Sequence, residues 1–174
     1  MIQTLAPAPV PLSKIDGAAQ LYNGDWLVMD DDAKGIQRFS KTGEYMNQFS
    51  ASRVTRLTVN ALDEVAGLDR DQKGVVFFDG AGTVTGRIPL KGTGYEFTNL
   101  EDLAFDAFGY LYVLDRTAIG VFSRFGGTAY KLVAMYTEPA TNPTAFRRAT
   151  AFALDLSGGL YLYDDRAARV LVYR

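Results

Sequence analysis

The chain has 174 residues, 48% of them apolar, and a formal net charge of −2. This length and composition predict one packed globular domain over residues 1–174, and the slightly acidic balance argues against nucleic acid as a partner. The sequence contains neither cysteine nor histidine, which excludes disulfides, thiolate metal sites, and general-base or zinc chemistry that depends on histidine.

The first residues, MIQTLAPAPVPL, contain no basic start and no sustained apolar core, so they do not predict a secretory signal peptide. No apolar run along the chain reaches the roughly 18–20 residues of a membrane-spanning helix. The sequence therefore predicts no membrane span and leaves the cellular compartment open.

Four segments of the chain share one pattern and align without a gap. They cover approximately residues 18–50, 57–90, 103–136 and 152–174. An aspartate follows the second apolar run of every copy, and five residues later comes a glycine or, in the last copy, an arginine. The aspartates are Asp30, Asp69, Asp115 and Asp164, and the later residues are Gly35, Gly74, Gly120 and Arg169.

Each copy predicts β-strands. In the third copy, an apolar run ending at Phe105 leads into a turn, Asp106–Gly109, and then into residues 111–114, which are rich in strand formers. Two further apolar runs follow, at 121–122 and 130–136. Four antiparallel strands in each unit of about 40–50 residues are typical of a propeller blade. The predicted fold is therefore an all-β propeller of four four-stranded blades.

The fourth copy reaches only its third strand by Arg174. We expect residues 2–5 to supply its missing strand, which would join both ends of the chain and cover two open edges. The alternative is that the four copies are part of a larger ring of six to eight blades. Self-association is expected if the ring is not closed.

The segments FDAFGYLYVLD and LDLSGGLYLYDDRAARVLVY resemble NHL-type repeats. The resemblance covers all four copies and is weakest in the second, where DEVAGLD lacks the turn glycine; only Arg169 matches the arginine of that family. NHL-type propellers usually have six blades, so four copies depart from the pattern. The resemblance implies a β-propeller but no single function, because related propellers include protein-binding modules, RNA-binding domains, calcium-dependent hydrolases and a zinc-dependent lyase.

The aspartate triplet Asp30-Asp31-Asp32 raises the question of a metal site. Adjacent residues on an extended segment point to alternate sides, so they converge poorly on one ion, and the spacing is not that of an EF-hand loop. We therefore expect Asp30 and its counterparts to accept backbone N–H groups in a tight loop. No cofactor is predicted; calcium remains the alternative, for a hydrolase-like site that would gather side chains near the first strands: Asp16, Asn60, Glu101 and Asp102.

In a propeller, the loops before the first strands and those after the second strands share one face. Here the two sets carry charges that roughly cancel, so RNA binding is the minor alternative. The basic residues are Lys14, Arg53, Arg56, Lys91, Arg147 and Arg148; the acidic residues are Asp30, Asp31, Asp32, Asp69, Asp71, Asp115, Asp164 and Asp165.

The two longest of these loops combine aromatic and arginine residues, which are typical of binding hot spots. The predicted partner-binding residues are Tyr95, Phe97, Phe146, Arg147 and Arg148. An alternative is that the rings only fill gaps between blades. Trp26, inside a predicted second strand, is expected in the core. The sequence thus favours a non-enzymatic scaffold that binds a protein partner or larger complex, ahead of a calcium-dependent hydrolase and an RNA-binding domain.

Overall fold

The computed structural model describes residues 5, 7, 9, 11–30, 32, 35–51, 54–124, 127, 129–137 and 145–174. Within these ranges every regular element is a β-strand. The strands are β1 (Ile15–Gln20), β2 (Trp26–Asp30), β3 (Gly35–Phe39), β4 (Tyr45–Ser50), β5 (Val54–Val59), β6 (Val65–Asp69), β7 (Gly74–Phe78), β8 (Val84–Pro89), β9 (Leu100–Phe105), β10 (Leu111–Asp115), β11 (Ala118–Ser123), β12 (Lys131–Thr137), β13 (Ala149–Leu154), β14 (Leu160–Asp164) and β15 (Arg169–Tyr173).

The strands form four sheets in which neighbours along the chain pair with each other. Blade 1 is β1–β4, blade 2 is β5–β8, blade 3 is β9–β12, and blade 4 is β13–β15. The registers determined for these sheets are antiparallel throughout. The prediction of an all-β chain with four blades is confirmed, with three strands rather than four described in the last blade.

The chain divides into two compact units, residues 1–87 and residues 88–174. In unit 1 the apolar face of blade 1 packs on blade 2, and in unit 2 the corresponding face of blade 3 packs on blade 4. Residues at the first contact include Leu27, Met29, Ile36, Val54, Val65, Val76 and Phe78. Residues at the second include Leu114, Ile119, Phe146, Ala149 and Leu162.

The turns between the first and second strands of blades 2, 3 and 4 follow one chemical rule. Asp106 accepts hydrogen bonds from the backbone N–H groups two and four residues later, at 2.9 Å each, and Asp155 does the same in blade 4. The third residue after the aspartate is a glycine with positive φ in both turns. In blade 2, Asn60 is the acceptor and Asp63 takes the left-handed position with φ of 59°. An aspartate therefore replaces the turn glycine that the sequence of this copy lacks.

The ungapped alignment of the four copies is wrong in blade 3 after Asp115. Asp30 pairs with Gly35 and Asp164 pairs with Arg169, which leaves four residues in each connecting loop. Asp115 pairs with Ala118, so that its loop contains only residues 116–117. A shift of two residues keeps every side chain on its original face of the strand, which is why the apolar pattern hides the deletion.

Gly120 is thus not the counterpart of Gly35. A glycine is required at position 120 because of side-chain packing. A Cβ atom at Gly120 would lie 2.6 Å from the ring of Phe97. The glycine therefore makes room for a buried aromatic ring against the middle of β11. Trp26 also differs from expectation: it lies at the first position of β2 and is 36% exposed, so it is not a core residue.

Arg38 links the two blades of unit 1. Its guanidinium lies 2.6 Å from the Asp25 carboxylate and also donates to the carbonyl oxygen of Gly80, in blade 2. Burial raises the pKa of Asp25, but hydrogen bonds from Arg38, Asn23 and the Lys41 N–H outweigh that effect, so the pKa lies below its ordinary value. The hydrogen bond from Arg38 to Gly80 joins residues 42 positions apart in sequence, and the repeat pattern did not predict it.

The predicted closing strand, residues 2–5, lies outside the described part of the chain except for Leu5, which belongs to no strand. Among the residues that are described, none forms a helix long and apolar enough to cross a membrane.

The loop of blade 4 provides a test of backbone strain. Ala168 has φ of 49°, a conformation that costs an L-residue roughly 1–2 kcal/mol and costs glycine almost nothing. We expect Ala168→Gly to raise the free energy of unfolding by about 0.5–1 kcal/mol, because relief of strain exceeds the entropy that glycine adds to the unfolded chain. Urea denaturation measures the change.

Ala167→Gly is the matched control, since Ala167 is exposed in the same loop and has no positive φ. That change should lower the free energy of unfolding by a few tenths to about 1 kcal/mol. Equal signs for the two variants would contradict the strain argument.

Candidate interaction surface

The repeat aspartates hold the loops that precede the first strands. Asp115 is 1% exposed and accepts hydrogen bonds from the backbone N–H groups of Thr98 and Asn99 at 2.7 and 2.9 Å. Asp164, fully buried, accepts from the N–H groups of Arg147 and Arg148 at 3.2 Å each. A buried carboxylate with two backbone donors fixes the loop against the end of the second strand.

Blade 1 repeats this arrangement. Asp30 accepts from the N–H groups of Ser13 and Lys14 at 2.6 and 3.2 Å. Asp32 is exposed and accepts from the Ser13 hydroxyl at 2.8 Å, whereas Asp31 lies outside the described residues. Both described aspartates thus have ordinary hydrogen-bonding roles.

Asp69, in blade 2, accepts from the Gln72 N–H at 3.0 Å and lies 3.8 Å from the Arg87 guanidinium. Residues 52 and 53, the counterparts of the donors in the other blades, are outside the described part of the chain.

Backbone hydrogen bonds connect these loops into one surface in unit 2. The Ala149 N–H donates to the Arg116 carbonyl at 2.9 Å, and the Arg116 N–H donates to the Asn99 carbonyl at 3.3 Å. The Asp165 N–H donates to the Arg148 carbonyl at 3.1 Å. We call the surface formed by residues 95–99, 116–117, 147–148 and 165 the loop face of unit 2.

The loop face does not offer all the predicted partner-binding residues. Phe97 is 2% exposed and Phe146 is 4% exposed, so both rings belong to the core and are not available to a partner. Tyr95 is half-buried, with its ring 5.0 Å from that of Phe97 and its hydroxyl 3.4 Å from that of Thr117. Arg147 and Arg148 are exposed. These loops are irregular segments that contain glycine or proline, and such segments have no hydrophobic periodicity. The sequence therefore did not predict that the rings of Phe97 and Phe146 point inward.

The cations of the loop face have acidic partners. The Arg148 guanidinium donates to the Asp165 carboxylate, and this hydrogen bond raises the pKa of Arg148. The Arg116 Nε lies 2.6 Å from Glu101. Such pairing leaves little net positive field for a nucleic-acid backbone.

The residues of the hydrolase alternative also have structural roles. Asp102 accepts from the Leu103 N–H at 2.9 Å and from the Phe152 N–H, in blade 4, at 3.3 Å. Glu101 holds Arg116, and Asn60 organises its turn. The Asp16 backbone carbonyl lies 3.4 Å from Arg56, but the structure gives its side chain no metal-binding neighbours. In the described ranges, no three acidic, histidine or cysteine residues lie close enough to hold a metal ion.

The most unusual surface lies on blade 4. Six apolar or aromatic residues form two rows across its three strands, each row made of directly paired positions, and all six are exposed. One row is Ala153, Tyr161 and Val172, and the other is Ala151, Tyr163 and Val170. We call this surface the open face of blade 4.

Blade 3 has the same residue types in one of the two corresponding rows and different residues in the other. Its rows are Ala104–Tyr112–Val121 and Asp102–Leu114–Ile119. There, Leu114 is fully buried and Ile119 is 1% exposed, because blade 4 packs on them. In blade 4, by contrast, Val170 is 60% exposed and Tyr163 is 43% exposed.

Blades 1 and 2 confirm that burial is the rule at these positions. The counterparts of Tyr163 are Met29 and Leu68, and those of Val170 are Ile36 and Val75; none of the four is more than 2% exposed. The open face therefore differs from its counterparts in its exposure, which the repeat pattern in the sequence did not predict.

No protein-family model matches the sequence, and no curated protein is similar to it. Solved structures are similar in fold. A streptogramin B lyase matches with a TM-score of 0.70 and 14% identity over 96% of this chain and 56% of that chain. A catalytically inactive virginiamycin B lyase from Staphylococcus aureus with quinupristin has a TM-score of 0.67 and 15% identity over 95% of this chain and 57% of that chain. The WD40 β-propeller domain of Doa1 has a TM-score of 0.70 and 14% identity over 95% and 52%.

These similarities show the fold, which is that of β-propeller blades. At identities near 14% they carry no activity over to this chain. The chain spans little more than half the length of these structures. The resemblance to NHL-type repeats in particular stays a prediction.

The repeat aspartate of blade 3 can be tested by its removal. Asp115→Ala leaves the N–H groups of Thr98 and Asn99 without their acceptor. We expect the free energy of unfolding to fall by about 1–3 kcal/mol. Chemical denaturation of the variant measures this change.

The matched control is Asp32→Asn, which alters an exposed aspartate in the corresponding loop of blade 1. It should change stability by less than about 0.5 kcal/mol, and added calcium should shift the melting temperature of neither the wild type nor the control. A calcium-dependent rise in melting temperature that the control variant loses would restore the metal-site interpretation.

The turn of blade 4 predicts a pH dependence. Hydrogen bonds from the Ser157 hydroxyl, the Gly159 N–H and other donors lower the pKa of Asp155 from 3.8 to about 2. A carboxylate with a lowered pKa stabilises the fold above its unfolded-state pKa, and this stabilisation is lost as the pH falls from about 4 through 2.

Asp155→Asn removes the ionisable group but keeps an oxygen acceptor. Its melting temperature should lie below that of the wild type at about pH 5, and the difference should shrink as the pH approaches 2. A difference that stays constant over this range would mean that the charge of Asp155 does not contribute. Thermal melts followed by circular dichroism provide the measurement.

Proposed function

We propose that this chain is a non-enzymatic binding module that recruits another protein through the open face of blade 4. The observation that carries the proposal is the exposure of this face. Contiguous apolar surface of this kind is uncommon on a monomer and marks interaction sites. The counterparts of Tyr163 and Val170 in the other three blades are buried, so apolar residues at these two positions are elsewhere part of the packed interior.

The composition of the open face fits a protein partner. Tyr161 and Tyr163 offer rigid aromatic area with a hydroxyl at the tip, the residue type most common at binding hot spots. The row of Tyr163 lies next to the paired residues Ala149 and Asp164, where the loop of Arg147 and Arg148 joins blade 4. Tyrosine and arginine side chains are therefore available within one region, as at many protein interfaces.

The packing inside unit 2 indicates what kind of surface would bind. Blade 4 covers blade 3 with leucine and phenylalanine side chains, including Leu162, Leu171 and Phe152. Because one row of the open face repeats the residue types of a row on the covered face of blade 3, a partner with a similar aliphatic and aromatic surface has the matching chemistry.

The alternatives have less support. Of the residues considered for a calcium site, Glu101 and Asp102 have structural hydrogen bonds or ion pairs, and Arg116 and Arg148 of the loop face are paired with carboxylates. The virginiamycin B lyase is described as catalytically inactive when one histidine is replaced by alanine. This chain contains no histidine, so the similarity in fold lends no support to that activity.

The test compares binding to the wild type with binding to Tyr163→Arg. The immobilised protein is exposed to a lysate of its source organism, and retained proteins are identified by mass spectrometry. A retained protein is then purified, and its affinity is measured by calorimetry. We expect Tyr163→Arg to weaken this affinity by about tenfold or more, because the arginine places a charge in an apolar interface.

Tyr22→Arg is the matched control, since Tyr22 is 86% exposed and belongs to unit 1. It should leave the affinity within about twofold of the wild type. The proposal fails if every retained protein binds the Tyr163 variant as tightly as the wild type, provided that circular dichroism shows that variant to be folded.

A further inference from the structure

The turn between β1 and β2 contains the one Asn-Gly pair of the sequence, Asn23-Gly24. Asn23 lies exposed at the tip of this turn. Gly24 has φ of 91°, in the left-handed region that favours glycine, and its N–H donates to the Leu21 carbonyl at 2.9 Å. The Leu21 N–H in turn donates to the Asp25 carbonyl at 2.8 Å. The pair suits a hairpin, and it also places a side-chain amide next to an unhindered peptide nitrogen.

The side chain of Asn23 is held by the residue two positions ahead. Its Oδ1 accepts the Asp25 N–H at 2.9 Å, and its Nδ2 donates to the Asp25 carboxylate at 3.0 Å. Because both contacts point forward along the chain, the side-chain amide is folded over the Gly24 peptide unit. The N–H donated to Oδ1 also stabilises the negative charge that develops on this oxygen when a nucleophile attacks the amide carbon.

We propose that Asn23 is a site of spontaneous deamidation. The Gly24 backbone nitrogen bonds to Cγ of Asn23, the C–N bond of the side-chain amide breaks, and ammonia leaves with the proton that the Gly24 nitrogen gives up through solvent. The product is a cyclic succinimide. Water then adds to either of the two ring carbonyls and opens the ring, which leaves aspartate or isoaspartate. The net reaction consumes one water molecule and releases one ammonia molecule.

The other asparagines lack this combination. A side chain on the following residue hinders the attacking nitrogen, and a following proline has no N–H to lose. Glutamine, alanine, leucine and proline follow Asn47, Asn60, Asn99 and Asn142, respectively. Asn47 and Asn99 are as exposed as Asn23 by class, so exposure alone does not single out Asn23.

The site matters because Asp25 is part of the link between blades 1 and 2. The Asp25 carboxylate accepts from the Arg38 guanidinium at 2.6 Å and from the Lys41 N–H at 3.1 Å, and Arg38 also donates to the Gly80 carbonyl of blade 2. Deamidation of Asn23 removes a donor to Asp25 and puts a second carboxylate beside it. Isoaspartate also adds a carbon atom to the main chain of a tight turn. The reaction therefore loosens the contact between the two blades.

Mass spectrometry tests the chemistry. The purified protein is incubated at mildly alkaline pH and digested with trypsin, which places Asn23, Asn47 and Asn99 in different peptides. Each asparagine can then be followed by the mass gain of about 1 Da that accompanies replacement of NH2 by OH. Asn23 should deamidate at least about tenfold faster than the other two, because Gly24 has no side chain.

Stability measured over the same incubation tests the consequence. The urea midpoint of the wild type should fall in step with the modified fraction, whereas that of Asn23→Gln and of Asn23→Ser should stay constant. Glutamine would have to close a larger ring, and serine has no amide but keeps an oxygen for the Asp25 N–H. Asn99→Gln is the matched control and should lose stability as the wild type does. Either Asn23 variant suffices if circular dichroism shows only one of them to be folded.

Hydrogen exchange locates the change. In the deamidated protein, the amides of residues 79–83, the turn that contains Gly80, should exchange at least about threefold faster, since the Arg38 contact is weakened. Residues 106–110, a turn of unit 2, should be unaffected. Three results would overturn the inference: equal deamidation rates at the three asparagines, a fall of the urea midpoint in the Asn23 variants as large as in the wild type, and unchanged exchange at residues 79–83 after Asn23 is modified.

Discussion

The fold depends on a buried carboxylate placed at the end of the second strand of each blade. In blades 1, 3 and 4, this carboxylate accepts two backbone N–H groups from the segment that leads into the first strand. A buried carboxylate costs free energy unless it is hydrogen-bonded, so the contact sets where each of these blades begins relative to its own second strand. The segment before the first strand is held by the same kind of contact in these three blades.

Because that contact is local to each blade, the connections around it can vary. Blade 3 shortens the loop after Asp115 by two residues and still keeps its pair of backbone donors. Blade 2 uses Asp63 where other turns use glycine, at the cost of an uncommon backbone conformation. Variation of even length preserves the side-chain alternation on which packing depends, whereas a change of one residue would turn every apolar side chain to the opposite face.

Much of this architecture could be predicted from the sequence. The strands were predicted from the apolar runs, the blade boundaries from the turn residues, and the repeat itself from the recurring aspartate. These features could be predicted because each depends on residues close together in the sequence. The contacts made across blades could not be predicted in the same way. Phe97 and Phe146 lie in polar, loop-like segments yet are buried, and the hydrogen bond from Arg38 of blade 1 to the Gly80 carbonyl of blade 2 joins residues that no repeat relates. The hydrophobicity and strand propensity of a residue do not determine which distant residue its side chain contacts.

The exposure of the open face of blade 4 also could not be predicted from its residue types. Its row of Ala153, Tyr161 and Val172 is identical in residue type to the row Ala104–Tyr112–Val121 of blade 3. In blade 3, Tyr112 packs against the core shared with blade 4 and Val121 is 5% exposed, whereas in blade 4 Tyr161 and Val172 are 37% and 49% exposed. A repeat protein therefore needs no special residue to make a binding surface. Where a packing surface has no neighbour, the free energy that elsewhere stabilises the core is available for association with another molecule.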